Sequence, residues 1–194
     1  VVDQQGCTVV KTYTLTYQYN YSIDATSMPT IDMGESVDLG YTITGTAGTL
    51  TNVWSPNISL SSTTTDVVTA SPLSTIRYRI DVTNQVGCLA YDTVTVVVIP
   101  DYHYYVPNAF SPNQDGVNDE YEIFGKKKNW KFLDMQIFNR WGERVFTSND
   151  INFHWDGRFK GQLLTPQVLV YTLQITFIDG HSEMMQRGSI TLLR

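Results

Sequence analysis

The chain has 194 residues, 42% hydrophobic and only 16% charged, with 13 Lys and Arg against 19 Asp and Glu and a formal net charge of −6. That length suits one large or two ordinary domains, each able to bury a core. The acidic balance excludes a basic-face nucleic-acid binder, and no apolar run is long enough for a membrane-spanning helix, so no membrane insertion of its own is expected.

Tyr, Thr and Val crowd the first hundred residues, a composition that fits pleated, half-buried surfaces. The opening Val1-Val2-Asp3-Gln4-Gln5 lacks the basic n-region of a signal peptide, so the chain is read as the C-terminal fragment of a longer secreted protein. Gly6-Cys7 and Gly87-Cys88 each follow a short polar stretch and run into a strand-like segment, Thr12 to Tyr17 and Thr93 to Val98. The offset, about 81 residues, is the period of one immunoglobulin-sized module in a tandem array. Residues 1–28 are therefore read as the remnant of a preceding module and 29–100 as the next one. Within the latter, Val37 and Leu39, then Tyr78, Ile80 and Val82, alternate with polar residues as half-buried antiparallel strands do. Trp54 is a sandwich-core tryptophan on the simpler reading and a sugar-stacking platform on the sharper one.

Gly34-Glu35-Ser36-Val37-Asp38-Leu39, Trp54-Ser55-Pro56 and the run Tyr78 to Asn84 leading into Gly87-Cys88 resemble the Ig-like or PKD-like modules of long bacterial surface proteins. In many such modules a cysteine just before the first glycine pairs with that of the Gly-Cys turn, but Met33 stands at that position here. A Cys7–Cys88 bond and two unpaired thiols both remain open. Asp92-Thr93-Val94 also resembles an O-glycosylation triplet, a match that chance readily supplies in a Thr-rich strand.

After Pro100 the texture changes, and about 10 basic residues face 11 acidic ones, against 3 and 8 before it. Lys126-Lys127-Lys128, with Lys131, reads as a solvated turn or as a lipid or partner contact. Leu133 to Asn139 alternates as a strand, turns at Gly142-Glu143 and returns through Arg144 to Thr147. Val168 to Phe177 and Met184 to Leu193 form a second pair around Asp179-Gly180, a two-residue hairpin signal. No helical period of useful length occurs. The expected fold is all-β: two tandem Ig-like β-sandwich domains with little or no helix.

Four signatures stand in order here: Val106 to Asp119, Ile137 to Phe146 with its Asn139-Arg140-Trp141-Gly142 core, Trp155-Asp156-Gly157, and Gly188 to Arg194 at the chain end. Together they resemble the gliding-motility-associated C-terminal domain, the type B sorting domain of type IX secretion substrates in Bacteroidetes. The resemblance assigns residues 101–194 to that domain. It implies a non-catalytic address label, exported through the type IX translocon and held at the outer surface by a PorP/SprF-type outer-membrane partner, on a large adhesin. It places partner recognition on Asn139, Arg140, Trp141, Gly142, Gly188, Ile190, Leu192 and Arg194. A competing reading has Trp141 plugging the sandwich end while Arg140 reaches a carboxylate such as Asp156. Where the family usually shows Pro-x-Gly-Val-Tyr, this chain has Pro166-Gln167-Val168-Leu169-Val170-Tyr171.

Ser111 to Glu122 approximates a calcium loop with Asn113, Asp115, Asp119 and Glu122 as candidate ligands, but Ser111 replaces the first carboxylate. An Asx-rich turn with Gly116 at positive φ is the other reading. No cofactor is otherwise required. The three histidines have no metal spacing, and no nucleophile elbow or phosphate loop occurs, so no enzyme is expected. The rival function is a carbohydrate-binding or adhesive module, which requires Trp54, Trp130 or Trp155 to lie exposed beside other aromatics.

Overall fold

The computed structural model describes residues 20–25, 28–183 and 185–194, together with residues 8, 10 and 12. The fold is all-β, as expected, with one short 3-10 turn at Lys127–Asn129 among the described residues. Among the described residues eight strands precede Pro100: β1 (Tyr21–Ala25), β2 (Thr30–Asp32), β3 (Val37–Leu39), β4 (Tyr41–Gly45), β5 (Leu50–Ser55), β6 (Val68–Ala70), β7 (Ile76–Asn84) and β8 (Leu89–Ile99).

The β7–β8 hairpin is the spine. In β7 every second residue (Tyr78, Ile80, Val82, Asn84) is buried, because a two-residue period puts alternate side chains on one face. At the turn, Asn84 Oδ1 accepts the N–H groups of Val86 and Cys88, and Gly87 takes φ +88°. β5 pairs antiparallel with β7 and β2 parallel with β8, while β3–β6 and β1–β4 form separate pairs. Trp54 is 1% exposed and donates from Nε1 to the Thr65 carbonyl at 3.1 Å, so it is a core tryptophan. Tyr21–Ala25 packs on these strands: Tyr21 Oη lies 2.8 and 2.7 Å from the carbonyl oxygens of Val82 and Cys88, and Ala25 N–H donates to Asp92. Among the described residues Cys88 is a free thiol; Cys7, its candidate partner, lies outside them.

Nine strands follow: β9 (Tyr104–Tyr105), β10 (Ala109–Phe110), β11 (Phe124–Gly125), β12 (Trp130–Phe138), β13 (Arg144–Ser148), β14 (Arg158–Phe159), β15 (Gln162–Leu163), β16 (Gln167–Phe177) and β17 (Gln186–Leu192). Their main sheet runs β10-β17-β16-β12-β13, antiparallel except for the β10–β17 pair. Its inner face buries Leu133, Met135, Ile137, Leu169, Leu173, Ile175, Phe177, Ile190 and Leu192. An aromatic layer of Phe110, Tyr121, Phe146, Phe153 and Trp155 packs with ring centroids 5.2–5.4 Å apart, a spacing at which tilted rings attract one another. The β16–β17 turn differs from the two-residue form. Phe177 N–H bonds the His181 carbonyl and Gly180 N–H the Phe177 carbonyl, giving a three-residue loop with Gly180 left-handed.

The lysine run is ion-paired along three of its residues. Lys126 Nζ lies 2.9 Å from Asp101 and 3.2 Å from Asp32, Lys127 Nζ 2.7 Å from Glu122, and Lys128 pairs with Glu35. Gly34, at φ +84°, brings the turn after β2 against this loop, where an added Cβ would stand 3.1 Å from Asn129 Oδ1. The hydrogen bond from Lys126, then those from the His103 ring and N–H, hold the Asp101 carboxyl well below the usual carboxylate range. A carboxyl lowered on folding stabilises fully above its unfolded value near 4, and that contribution is lost as pH falls through the folded value. Wild-type protein is therefore expected to lose more melting temperature than Asp101→Asn between about pH 5 and pH 2. Parallel acid limbs in thermal melts would show that Asp101 does not act this way.

Candidate functional site

The β12–β13 hairpin explains the Asn-Arg-Trp-Gly run one residue at a time. Asn139 N–H bonds the Glu143 carbonyl at 2.9 Å, and Gly142 N–H bonds the Asn139 carbonyl at 3.0 Å. Gly142 takes φ +79°, a conformation that a Cβ disfavours. Asn139 Oδ1 accepts the N–H groups of Trp141 and Glu143, both at 3.0 Å, and so stands in for missing backbone acceptors. The outer two residues of the motif build the turn. The inner two, Arg140 and Trp141, stand at its tip.

Trp141 is 83% exposed, so it plugs nothing. Arg140 does not reach Asp156, which pairs with Arg158 at 3.0 Å. Among the described residues Arg140 has no ion-pair partner; its guanidinium carbon lies 5.9 Å from the Trp141 ring centre. The plugging role belongs to Trp155, 4% exposed, whose Nε1 donates to the Arg158 carbonyl at 2.9 Å. Tryptophan and arginine are two of the three residue types most enriched at interface hot spots.

The terminal strand is divided by parity. Ile190 and Leu192 are fully buried and offer no side chain to a partner. At Gly188 an added Cβ would stand 2.6 Å from the Tyr171 ring, so this glycine is required by packing. Arg194 is exposed and donates to the Leu164 carbonyl at 3.1 Å. The outward residues are Arg187, Ser189 and Thr191, which motif matching missed although their alternation with Gly188, Ile190 and Leu192 is written in the sequence.

In the loop Ser111 to Glu122, the candidate calcium ligands are turned to internal donors. Asp119 accepts the N–H groups of Gln114 and Gly116 at 2.6 and 2.8 Å, and Asp115 accepts that of Val117 at 2.8 Å. Asn113 bonds Asp115 through both side chain and backbone, and Glu122 pairs with Lys127. Left-handed φ at Gln114, Gly116 and Asn118 completes an Asx-rich turn whose N–H nest holds the chain's own carboxylate. Among the described residues no group of three or more His, Cys, Asp or Glu converges as a metal site. The histidines stand apart, with His103 beside Asp101, His154 beside Glu120 and His181 beside Glu183. No helix among the described residues is long and apolar enough to cross a membrane.

With the motif placed on its hairpin and the terminal strand in its sheet, the chain can be set beside known proteins. Residues 104–192 match the CHU_C type IX secretion signal domain. This agrees with the resemblance carried by the four signatures, and it covers a little under half of the chain. A secretion signal of this kind implies a secreted or cell-surface protein. No curated protein sequence matches the chain.

Three solved structures with a similar course are of low identity. SGBP-B of the Bacteroides ovatus mixed-linkage glucan utilization locus, solved with a mixed-linkage heptasaccharide, is 12% identical with a TM-score of 0.34; the match covers 92% of this chain and 48% of that one. The fibronectin(III)-like modules of Clostridium thermocellum CbhA are 9% identical with a TM-score of 0.33, covering 90% and 93%. A calcium-stabilised ice-binding adhesin of an Antarctic bacterium is 16% identical with a TM-score of 0.35, covering 99% and 55%. The chain thus spans about half the length of the first and third. At these scores the likenesses carry no argument about function.

Proposed function

We propose that the signal domain is a folded, non-catalytic address label for a large surface adhesin, read by a protein partner at the β12–β13 tip. In this reading residues 101–194 form the sorting domain, residues 29–100 an Ig-like stalk module, and 1–28 the remnant of another. The label directs its parent through the type IX translocon, and a PorP/SprF-type outer-membrane protein retains it at the surface. The observation that carries the reading is the hairpin tip within the matched signal domain. Asn139 and Gly142 are consumed in building a turn whose product is an exposed, unpaired Arg140–Trp141. Tryptophan and arginine are the residue types that binding hot spots favour.

The glycan-binding alternative loses its main support, because Trp54, Trp130 and Trp155 are 1%, 4% and 4% exposed. The test is capture from a Bacteroidetes outer-membrane extract with the 194-residue chain as bait. Retention of translocon components or of a PorP/SprF-type barrel by the folded chain supports the reading. Retention of neither, by a bait shown to be folded, contradicts it.

A further inference from the structure

The outer face of the main sheet continues directly from the hairpin tip, and its rows follow from the strand register. Arg144, Phe138, Val170 and Ser189 lie side by side across β13, β12, β16 and β17. The next row is Thr147, Gln136, Thr172 and Arg187, and on the other side Val168 lies beside Thr191. Val168 and Val170 are 55% and 47% exposed. These rows contain no carboxylate. Asp134, one row further, accepts from Gln136 Nε2, and Glu143 at the turn is held by Lys160 and Asn139.

The cations of the chain are divided. Lys126, Lys127, Lys128, Lys160, Arg79 and Arg158 all have carboxylate partners. Arg140, Arg144 and Arg187 have none among the described residues, in a chain with 19 acids and 13 bases. Among the described residues Lys131, Arg77 and Arg194 also lack a carboxylate partner, Arg77 bonding Thr93 and Arg194 the Leu164 carbonyl. Three inter-strand steps separate Arg144 from Arg187, about 14 Å at the usual strand spacing. The face therefore presents a Val/Phe/Thr/Ser plateau framed by unpaired guanidiniums, with Trp141 at its end.

We infer that this face docks an acidic segment of the export partner, with carboxylates on Arg140, Arg144 and Arg187 and an apolar side chain on Phe138, Val168 and Val170. Guanidinium binds carboxylate in a two-pronged geometry that lysine cannot match. Arginine and tryptophan without lysine is the composition of a protein interface and not of a lipid-facing patch, which uses clustered lysine as well. The inference rests on the export reading above and names the chemistry of its partner.

The test places a photo-crosslinking phenylalanine at Val170 in the reporter-fused 194-residue chain, expressed in a type IX-competent host, beside an Arg144→Glu, Arg187→Glu variant. Both substitutions are on exposed side chains, so circular-dichroism melts should match wild type. The expected result is a crosslinked partner peptide carrying Asp or Glu, and surface reporter lowered by about tenfold in the reversed variant. Reversing those partner acids to arginine should restore export. Unchanged export by the folded variant, or a crosslinked segment without acids, overturns the inference and leaves the export reading standing. A wild-type chain that is not exported at all overturns both. Sedimentation with phosphatidylglycerol vesicles that is lost on charge reversal overturns it in favour of a lipid headgroup.

Discussion

Replacing Arg140 and Trp141 together by alanine is expected to abolish partner capture while leaving the fold intact. The turn is closed by backbone bonds and by Asn139 Oδ1, none of which involves either side chain. Both side chains are exposed, so the change in unfolding free energy should stay within about 0.5 kcal/mol. A central Trp–Arg anchor is worth upwards of about 2 kcal/mol of binding, a loss of roughly thirtyfold or more. Quantitative capture from membrane extract reads the loss, and a denaturant melt reads the stability. Equal capture by a folded double variant would remove the tip from the recognition surface. Asn139→Ala supplies the contrasting pattern. It withdraws the acceptor of two N–H groups and should lower stability by about 1 kcal/mol.

Replacing Ile190 and Leu192 by alanine is expected to unfold the signal domain. Each side chain is fully buried against the inner face of the sheet, and truncations of this kind cost about 2–5 kcal/mol apiece. Their sum matches much of the 5–15 kcal/mol that holds a typical domain together. β17 is also ordered on both sides, by β16 along its length and by β10 at Thr191 and Leu192. Arg194→Ala should by contrast change stability by less than about 0.5 kcal/mol. Near-ultraviolet circular dichroism, to which the buried Trp130 and Trp155 contribute, with a denaturant midpoint, checks both. A double variant that keeps native dichroism and a wild-type midpoint would show that the terminal strand is a tag laid on a finished fold. The account holds the reverse: the terminal residues are needed because the label is a folded surface.

What could be read in advance depended on whether local sequence contained the physical cause. The alternation of Tyr78, Ile80 and Val82, and of Leu133, Met135 and Ile137, is itself the burial pattern, so the all-β fold was legible. Asn139 and Gly142 were legible as turn residues, because their roles act within five positions. Trp141 and Trp155 both sit in polar, turn-rich stretches, and nothing local says which of them folds inward. That is decided by Phe110 and Phe146, which reach Trp155 from elsewhere in the chain. The ion pairs of the lysine loop are illegible for the same reason, since Asp32 and Glu35 lie some ninety residues upstream. The terminal strand was a different failure. Its parity is visible in the sequence, but a motif matched whole does not separate Ile190 and Leu192 from Arg187 on the opposite side of the sheet.

The most direct measurement of the central claim is export of a reporter. The 194-residue chain is placed behind a signal peptide and a fluorescent protein in a type IX-competent host, beside a control lacking residues 104–192. The account predicts reporter at the cell surface, open to external protease, with the control retained in the periplasm. Periplasmic accumulation of the full fusion, in cells whose own type IX substrates reach the surface, would contradict it.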